Sequence, residues 1–406
     1  MRPMHTGLDR LELEPSLLHR VRGARLGLLA HRASVSRDLE HVADFLARLG
    51  VSPRVVFGPE HGYGGEAQDM IGVSDAKDVR GIRVRSLYGG RVEDLSPRAE
   101  DLDGLDLLLV DLQDVGARYY TFVWTAVLAV RACAPRGVRV MVLDRPNPLG
   151  GDEGAIEGHA QNPAYRSFVG LEPLPIRHGL TLGEIVAWRA QEEGLPPGMV
   201  QIVGVTGLER TAHATAWDRP FVMPSPNMPT YETALVYPGG CLLEGTNLSD
   251  GRGTTRPFEI TGAPWVDGVR LAHELAELGL PGVRARPLTF VPTFHKHAGA
   301  VCGGVQVHVT DPAVFRPVCT YMALIALAHH QDPERFRFRT ERYEFVDDIP
   351  AFDLLTGDRA AREEISAGAN AGDVAERVSA VAADDRAIVA RAREAYRQSL
   401  LASAAS

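Results

Sequence analysis

Six short, largely apolar runs recur along the first half of the chain, at residues 26–30, 55–57, 82–87, 105–110, 138–143 and 200–205, and apolar residues at helical spacing separate several of them (39–49, 120–134 and 182–193). A strand that is apolar throughout has no face to offer water, so it must be covered on both sides. Strands alternating with helices meet that demand as a mostly parallel sheet with helices on both faces. In such a sheet the loops leaving the carboxyl ends of the strands line one crevice, where ligands bind. Those loops carry much of the chain's unusual polar content: Pro59-Glu60-His61-Gly62, Ser86-Leu87-Tyr88-Gly89, the stretch from Asp111 through Asp114, Arg118 and Tyr119 to Tyr120, Asp144-Arg145-Pro146-Asn147-Pro148, and Pro224-Ser225-Pro226-Asn227-Met228-Pro229. One site assembled from five loops is the expectation.

At 406 residues the chain exceeds what one core usually supports. Its character changes near residue 230, where a Gly- and Thr-rich stretch (239–262) precedes a helical pattern at 266–278. Candidate strands at 284–291 and 304–310 follow, then an apolar helix at 317–328 and an alanine-rich, charged region at 359–402. The expected division is a catalytic domain over 1–232 and a smaller α/β domain over 233–406. The net charge of −9 comes from interspersed signs, without the basic runs that track a phosphate backbone, so nucleic acid is not an expected partner. Apolar stretches fall well short of the roughly 20 residues that span a bilayer, and the start lacks a secretory signal. The expectation is a cytoplasmic chain with no membrane partner and a small-molecule substrate. Four cysteines far apart, none in C-x-x-C, read as buried thiols.

Glu60 and His61 follow a strand end and precede Gly62, Gly64 and Gly65, which permit a tight turn and close approach of backbone to ligand. A carboxyl group beside low-polarity walls suits a general acid; the alternative is a turn with a helix-capping Glu. Glycines at 58, 62, 64 and 65 do not fit G-x-G-x-x-G, so no dinucleotide, and no other cofactor, is expected. Asp111, Asp114 and Arg118 beside Tyr119 and Tyr120 suit a sugar, whose hydroxyls need acceptors and whose ring face needs a flat partner; Asp114 reads equally as a helix cap. Without a His at ligand spacing, Asp111 and Asp114 do not define a metal site. Arg145 and Asn147 sit on a loop stiffened by two prolines, with a structural ion pair as the alternative for Asp144. The stretch 245–258 is too long and polar for mere connection, and Asn247, Arg252 and Arg256 give it the look of a binding loop. His273-Glu274 lacks the second His of a zinc-protease helix, and His295 and His297 would share one face of a strand.

Residues 57–62, 86–89, 111–121, 142–151, 167–170, 177–184, 224–229 and 244–258 together resemble the bacterial exo-β-N-acetylmuramidase family, in the same order from about residue 24 to beyond 310. The resemblance implies an α/β protein with a Rossmann-like N-terminal domain bearing the active site and a smaller C-terminal domain closing the cleft. It also implies release of N-acetylmuramic acid from the non-reducing end of peptidoglycan fragments. The glutamate of the Pro-Glu-His-Gly motif, here Glu60, is the implied acid. Two departures stand out: Ala30-His31-Arg32-Ala33-Ser34 replaces an Asn-centred motif, and Asp250 stands where Glu is usual. A second group would stabilise the oxocarbenium-like centre or position water. Asp111 and Asp114 are candidates, as is the substrate's own acetamido group held by Asn227 or Asn147. Arg118, Arg252 or Arg256 would meet the lactyl carboxylate, with His61 and His178 orienting these groups and Tyr88, Tyr120, Arg145 and Asn247 completing the substrate contacts. A metal-dependent hydrolase using Asp111, Asp114 and His61, and a sugar-binding protein without activity, are the rival readings.

Overall fold

The computed structural model describes residues 3–405 apart from 69, 78 and 79. Seven strands form the larger sheet: β1 (Leu26–Ala30), β2 (Val55–Gly58), β3 (Ala76–Lys77), β4 (Arg83–Ser86), β5 (Leu107–Asp111), β6 (Arg139–Leu143) and β7 (Val200–Val203). Their order is β3-β4-β2-β1-β5-β6-β7, all parallel except β3. The chain builds outward from β1 to β2 and β4, then returns to the other side of β1 for β5, β6 and β7. Strand order therefore reverses between β1 and β5, the point at which adjacent loops part and leave a crevice.

The two faces are covered by different parts of the chain, as the apolar runs require. Leu29, Leu108, Val110, Val140 and Val142 face a core that includes the helices Phe122–Cys133 and Leu182–Glu192. Leu26, Leu28, Leu107, Leu109, Met141 and Leu143 face the helices Gly7–Leu13, Pro15–Arg22 and Val42–Arg48. The alternation follows from successive side chains pointing to opposite faces.

The smaller domain holds an antiparallel sheet of β8 (Ile260–Ala263), β9 (Val283–Phe290) and β10 (Cys302–Val309), in the order β8-β10-β9; the helix Gly268–Glu277 packs on β9 and β10, and the helix Pro317–Gln331 packs on that helix. The final helix, Ala383–Ala405, crosses back to pack on Leu182–Glu192 and β7. Tyr396 on it donates to Asp144 at 3.0 Å, and Arg393 to the Gly151 carbonyl at 2.9 Å.

Three places depart from the sequence reading. A helix, Tyr231–Gly240, runs into the stretch read as a glycine-rich connection. Pro238, Gly239 and Gly240 argue against a helix on propensity, yet a Cβ at Gly239 would collide with the Pro317 carbonyl oxygen, so close helix packing requires the glycine. Strands β3 and β8 are too short to leave a periodic signal. His295 and His297 share no strand: β9 ends at Phe290, and both residues have positive φ (68° and 58°) in the turns that follow. All four cysteines are buried and unbridged. Among the described residues no helix is long and apolar enough to cross a membrane.

Candidate active site

A narrow cleft opens at the carboxyl ends of β2 and β5, and both domains line it. The N-terminal domain contributes Glu60, His61, Tyr120, Thr121, Ser225 and Asn227; the C-terminal domain contributes Tyr237, Glu244, Arg252, Phe258, Tyr343 and Glu344.

Glu60 reaches the cleft because the chain doubles back directly after β2. A Cβ at Gly58 would strike the Tyr63 backbone nitrogen, and His61 and Gly62 both take left-handed conformations (φ 68° and 83°). Glu60 is 6% exposed and accepts a 2.6 Å hydrogen bond from the Thr121 hydroxyl, at the start of the Phe122–Cys133 helix. It therefore caps no helix of its own. The His61 ring nitrogen Nδ1 lies 2.8 Å from the Ala67 carbonyl, so this nitrogen carries the proton and donates it. Tyr88 donates to Glu344 at 3.1 Å.

On the opposite wall, Arg252 donates to Glu244 at 2.7 Å and to Asp250 at 3.0 Å, with its guanidinium 4.8 Å from the Phe258 ring. Tyr343 donates to the other Glu244 oxygen at 2.7 Å. Although burial opposes its charge, Asp250 is held well below the usual carboxylate range by Arg252, Lys296 and His295. Tyr120, Tyr237 and Phe258 form an edge-to-face aromatic wall, with ring centroids 5.8 and 4.9 Å apart.

Several anticipated site residues lie in the framework instead. Asp111 pairs with Arg145 (2.8 Å to Nη2), which also donates to the Val35 carbonyl. Asp114 accepts from the Gly116 N–H at 2.7 Å and lies 3.5 Å from His178; it closes a turn and caps no helix. Burial pushes its carboxyl up to about 7, and burial pushes His178 down to about 3. Arg118 is fully buried and donates to the carbonyls of His159, Leu174 and Leu355. Asn147 joins the Leu180 carbonyl to the Leu149 N–H, and Asn247 joins the Arg335 carbonyl to the Arg337 N–H. Arg256 is half-exposed beside Glu259. Asn227 lines the cleft, its amide donating to Gln68 at 2.8 Å. Asp111, Asp114 and His61, which the metal-hydrolase reading needs in one place, have three separate sets of partners. Among the described residues no three His, Cys, Asp or Glu side chains gather as a metal ion would require.

The sequence reading missed Tyr237, Tyr343 and Glu344. Tyr237 is hidden by the proline and glycines that follow it, and Tyr343-Glu344-Phe345 follows no apolar run and matches no motif.

Models of the two halves of exo-beta-N-acetylmuramidase NamZ match this chain, the N-terminal one over residues 26–232 and the C-terminal one over 235–390. The chain belongs to the exo-β-N-acetylmuramidase NamZ family. A family member from Bacillus subtilis (strain 168), the peptidoglycan beta-N-acetylmuramidase NamZ, is 40% identical over 374 residues, covering 91% of this chain and 86% of that protein. A DUF1343 family protein from Bacteroides fragilis NCTC 9343 superposes with a TM-score of 0.83 at 28% identity, over 98% of both chains. A second from the same organism gives 0.73 at 24% identity, over 97% of this chain and 98% of that one, a likeness of fold. NamZ family membership makes this chain a glycosidase and supports peptidoglycan glycoside hydrolase activity.

Proposed function

We propose that this family member releases N-acetylmuramic acid from the non-reducing end of peptidoglycan fragments, with Glu60 protonating the glycosidic oxygen. The observation that carries this reading is the placement of Glu60: a buried carboxyl on a strained turn at the end of β2, in a cleft closed by the second domain. Withdrawal from water strengthens each electrostatic interaction at such a site. The wall of Tyr120, Tyr237 and Phe258 offers the flat apolar partner a pyranose face needs.

Of the three arginines considered for the lactyl carboxylate, Arg252 alone lines the cleft, and we assign it that role. Asn227 is the amide placed to meet the 2-acetamido group. Asp111 and Asp114 serve the framework in this reading, so the second role falls to a group within the cleft or to the substrate's acetamido oxygen.

The test is Glu60→Gln, which preserves shape while removing the acid. Turnover of N-acetylmuramyl-glucosamine, followed by the mass of the released monosaccharide, should fall by roughly 10²–10⁴-fold. Near-wild-type turnover would overturn the assignment.

A further inference from the structure

We propose that the protein carries a second ligand site, apart from the catalytic cleft, that binds a small oxyanion, a phosphate or a carboxylate, against Trp217 and Arg219. This site does not depend on the role given to Glu60.

It is a small, mostly enclosed cavity at the carboxyl end of the larger sheet. Val35 and Ser36 reach it from the loop after β1, Gln113 from the loop after β5 and Arg145 from the loop after β6, while Trp217 and Arg219 belong to the irregular segment that follows β7. The cavity therefore lies where strand order reverses, between β1 and β5, and it shares no lining residue with the catalytic cleft. Loops part at such a point, and open α/β sheets place ligands there.

Three buried nitrogens of these residues have no hydrogen-bond partner among the described residues: Nε1 of Trp217, and Nε and Nη1 of Arg219. Indole and guanidinium groups can only donate. The Arg219 side chain is 7% exposed, and its third nitrogen, Nη2, donates to Asp9 at 2.7 Å and to the Met4 carbonyl at 3.1 Å. Those two bonds anchor the guanidinium and leave the other nitrogens for a guest. A buried donor without an acceptor forfeits its hydration and gains nothing in return, the more so when it is charged. Three of them on residues 217 and 219, beside one cavity, call for a ligand made of acceptors. An oxyanion presents an acceptor at every oxygen.

The charges around the cavity favour the same ligand. Burial opposes ionisation of Asp9, yet Arg219 and Thr6 hold its carboxyl below the ordinary range. That carboxylate also accepts from the Thr6 N–H and hydroxyl, both at 2.8 Å, and from the Arg37 N–H at 3.1 Å. Its charge is thus divided among several donors and offsets Arg219 only in part. Arg145 brings a second guanidinium to the lining, held through Nη2 by Asp111 and the Val35 carbonyl. The amide nitrogen of Gln113 is taken up by the carbonyls of Asp114 and Pro146. Val35, Leu39, Pro220 and Val222 make the remaining wall apolar, which strengthens each hydrogen bond a charged donor makes there.

The test titrates inorganic phosphate and, separately, acetate into the protein at an ionic strength fixed with sodium chloride, reading calorimetric binding and thermal unfolding. Wild type should be stabilised saturably by at least one probe, as any ligand of the native state requires, and the tighter of the two names the oxyanion. Trp217→Phe and Arg219→Lys should each raise its dissociation constant about tenfold or more, because each removes donors to a charged acceptor. Arg252→Lys, in the catalytic cleft, should leave it unchanged. Arg219→Lys keeps a positive charge beside Asp9; should it fail to fold, Trp217→Phe, which loses one donor and no charge, decides alone. Crystals grown with selenate should show an anomalous peak within hydrogen-bond distance of Trp217 Nε1 and the Arg219 guanidinium. Binding lost in Arg252→Lys and kept in Trp217→Phe would move the anion to the catalytic cleft and overturn the proposal. An ordered water alone at the two side chains, or no binding of either probe, would overturn it equally.

Discussion

Asp114 is 3% exposed; one carboxylate oxygen accepts from Gly116, and the other has no hydrogen-bond partner among the described residues. Burial pushes this carboxyl to about 7, as it does those of Asp144 and Glu157. Between roughly pH 4, where an unfolded Asp titrates, and that value the folded protein binds the extra proton, so stability falls as pH rises through the window. His31 and His178 act oppositely: burial pushes each to about 3, so their contribution is present above about 6.5 and lost as pH falls. Asp114→Asn keeps the acceptor for Gly116 and removes the charge. Relative to wild type it should gain on the order of 2–4 kcal/mol in denaturant unfolding between pH 5 and pH 8, at about 1.4 kcal/mol per unit. An equal offset at both pH values would contradict the assignment. Arg252 calls for a different substitution. Removing it would take the arginine from buried Glu244 and leave Asp250 with Lys296 and His295 alone, a loss of several kcal/mol that would obscure any binding effect. Arg252→Lys keeps the charge and loses the planar fork. Its KM should rise about tenfold for a muraminide and much less for the matching glucosaminide; equal rises would argue against a lactyl contact.

At the scale of elements, the helix Tyr231–Gly240 carries Tyr237 into the cleft and is held against the helix Pro317–Gln331. Tyr119 donates to the Pro238 carbonyl beside that contact. Gly239→Ala would drive a methyl group into the Pro317 carbonyl, and the helices must separate to admit it. A stability loss above about 2 kcal/mol by chemical denaturation is expected, in the upper range for overpacking. Gly23→Ala is the control, with φ −80° and its nearest neighbour 3.6 Å from the new carbon, and should stay within about 0.5 kcal/mol. A Gly239→Ala variant as stable as that control would refute the packing argument. The same helix marks the limit of what the sequence discloses. Strands β1, β2, β5 and β6 were legible because an element covered on both faces must be apolar along its length. The site loops were legible because they leave those strands. Tyr231–Gly240 was not, because Gly239 answers to a helix some 80 residues later and Gly240 to Phe258 in the cleft wall, and propensity carries no record of a distant partner. Glu344 was hidden for a related reason: its backbone strain and its contact with Tyr88 exist only once two domains meet. Arg118, Asp111 and Asn147 were read as ligand contacts because buried structural polar groups and binding groups use the same residue types; hydrogen-bond partners alone separate them.

For the whole molecule, the two sheets suggest two independent units, and the buried side chains argue otherwise. One contiguous apolar cluster runs from Leu29, Val110 and Trp124 in the first domain through Tyr237, Leu243 and Phe258 at the junction to Tyr321, Phe352 and Val378 in the second. The final helix then returns to the first domain, burying Val389, Ala392 and Ala395 and reaching Asp144 through Tyr396. Separate unfolding of either domain would expose apolar surface at the junction and along that helix, at roughly 25 cal/mol for each Å² uncovered. A few buried aromatic and aliphatic side chains at this rate outweigh the 5–15 kcal/mol that ordinarily separates folded from unfolded protein. Calorimetry should therefore give a single transition whose calorimetric and van't Hoff enthalpies agree. Truncation before residue 383 should lower its midpoint and loosen the first domain, read as faster amide exchange in the helix Leu182–Glu192. Two resolved transitions, or a truncated chain with unchanged exchange there, would mean that the domains fold independently. The cleft walls would then be free to separate, whereas a single cooperative unit keeps Glu60 and Glu344 lining one cleft for as long as the chain stays folded.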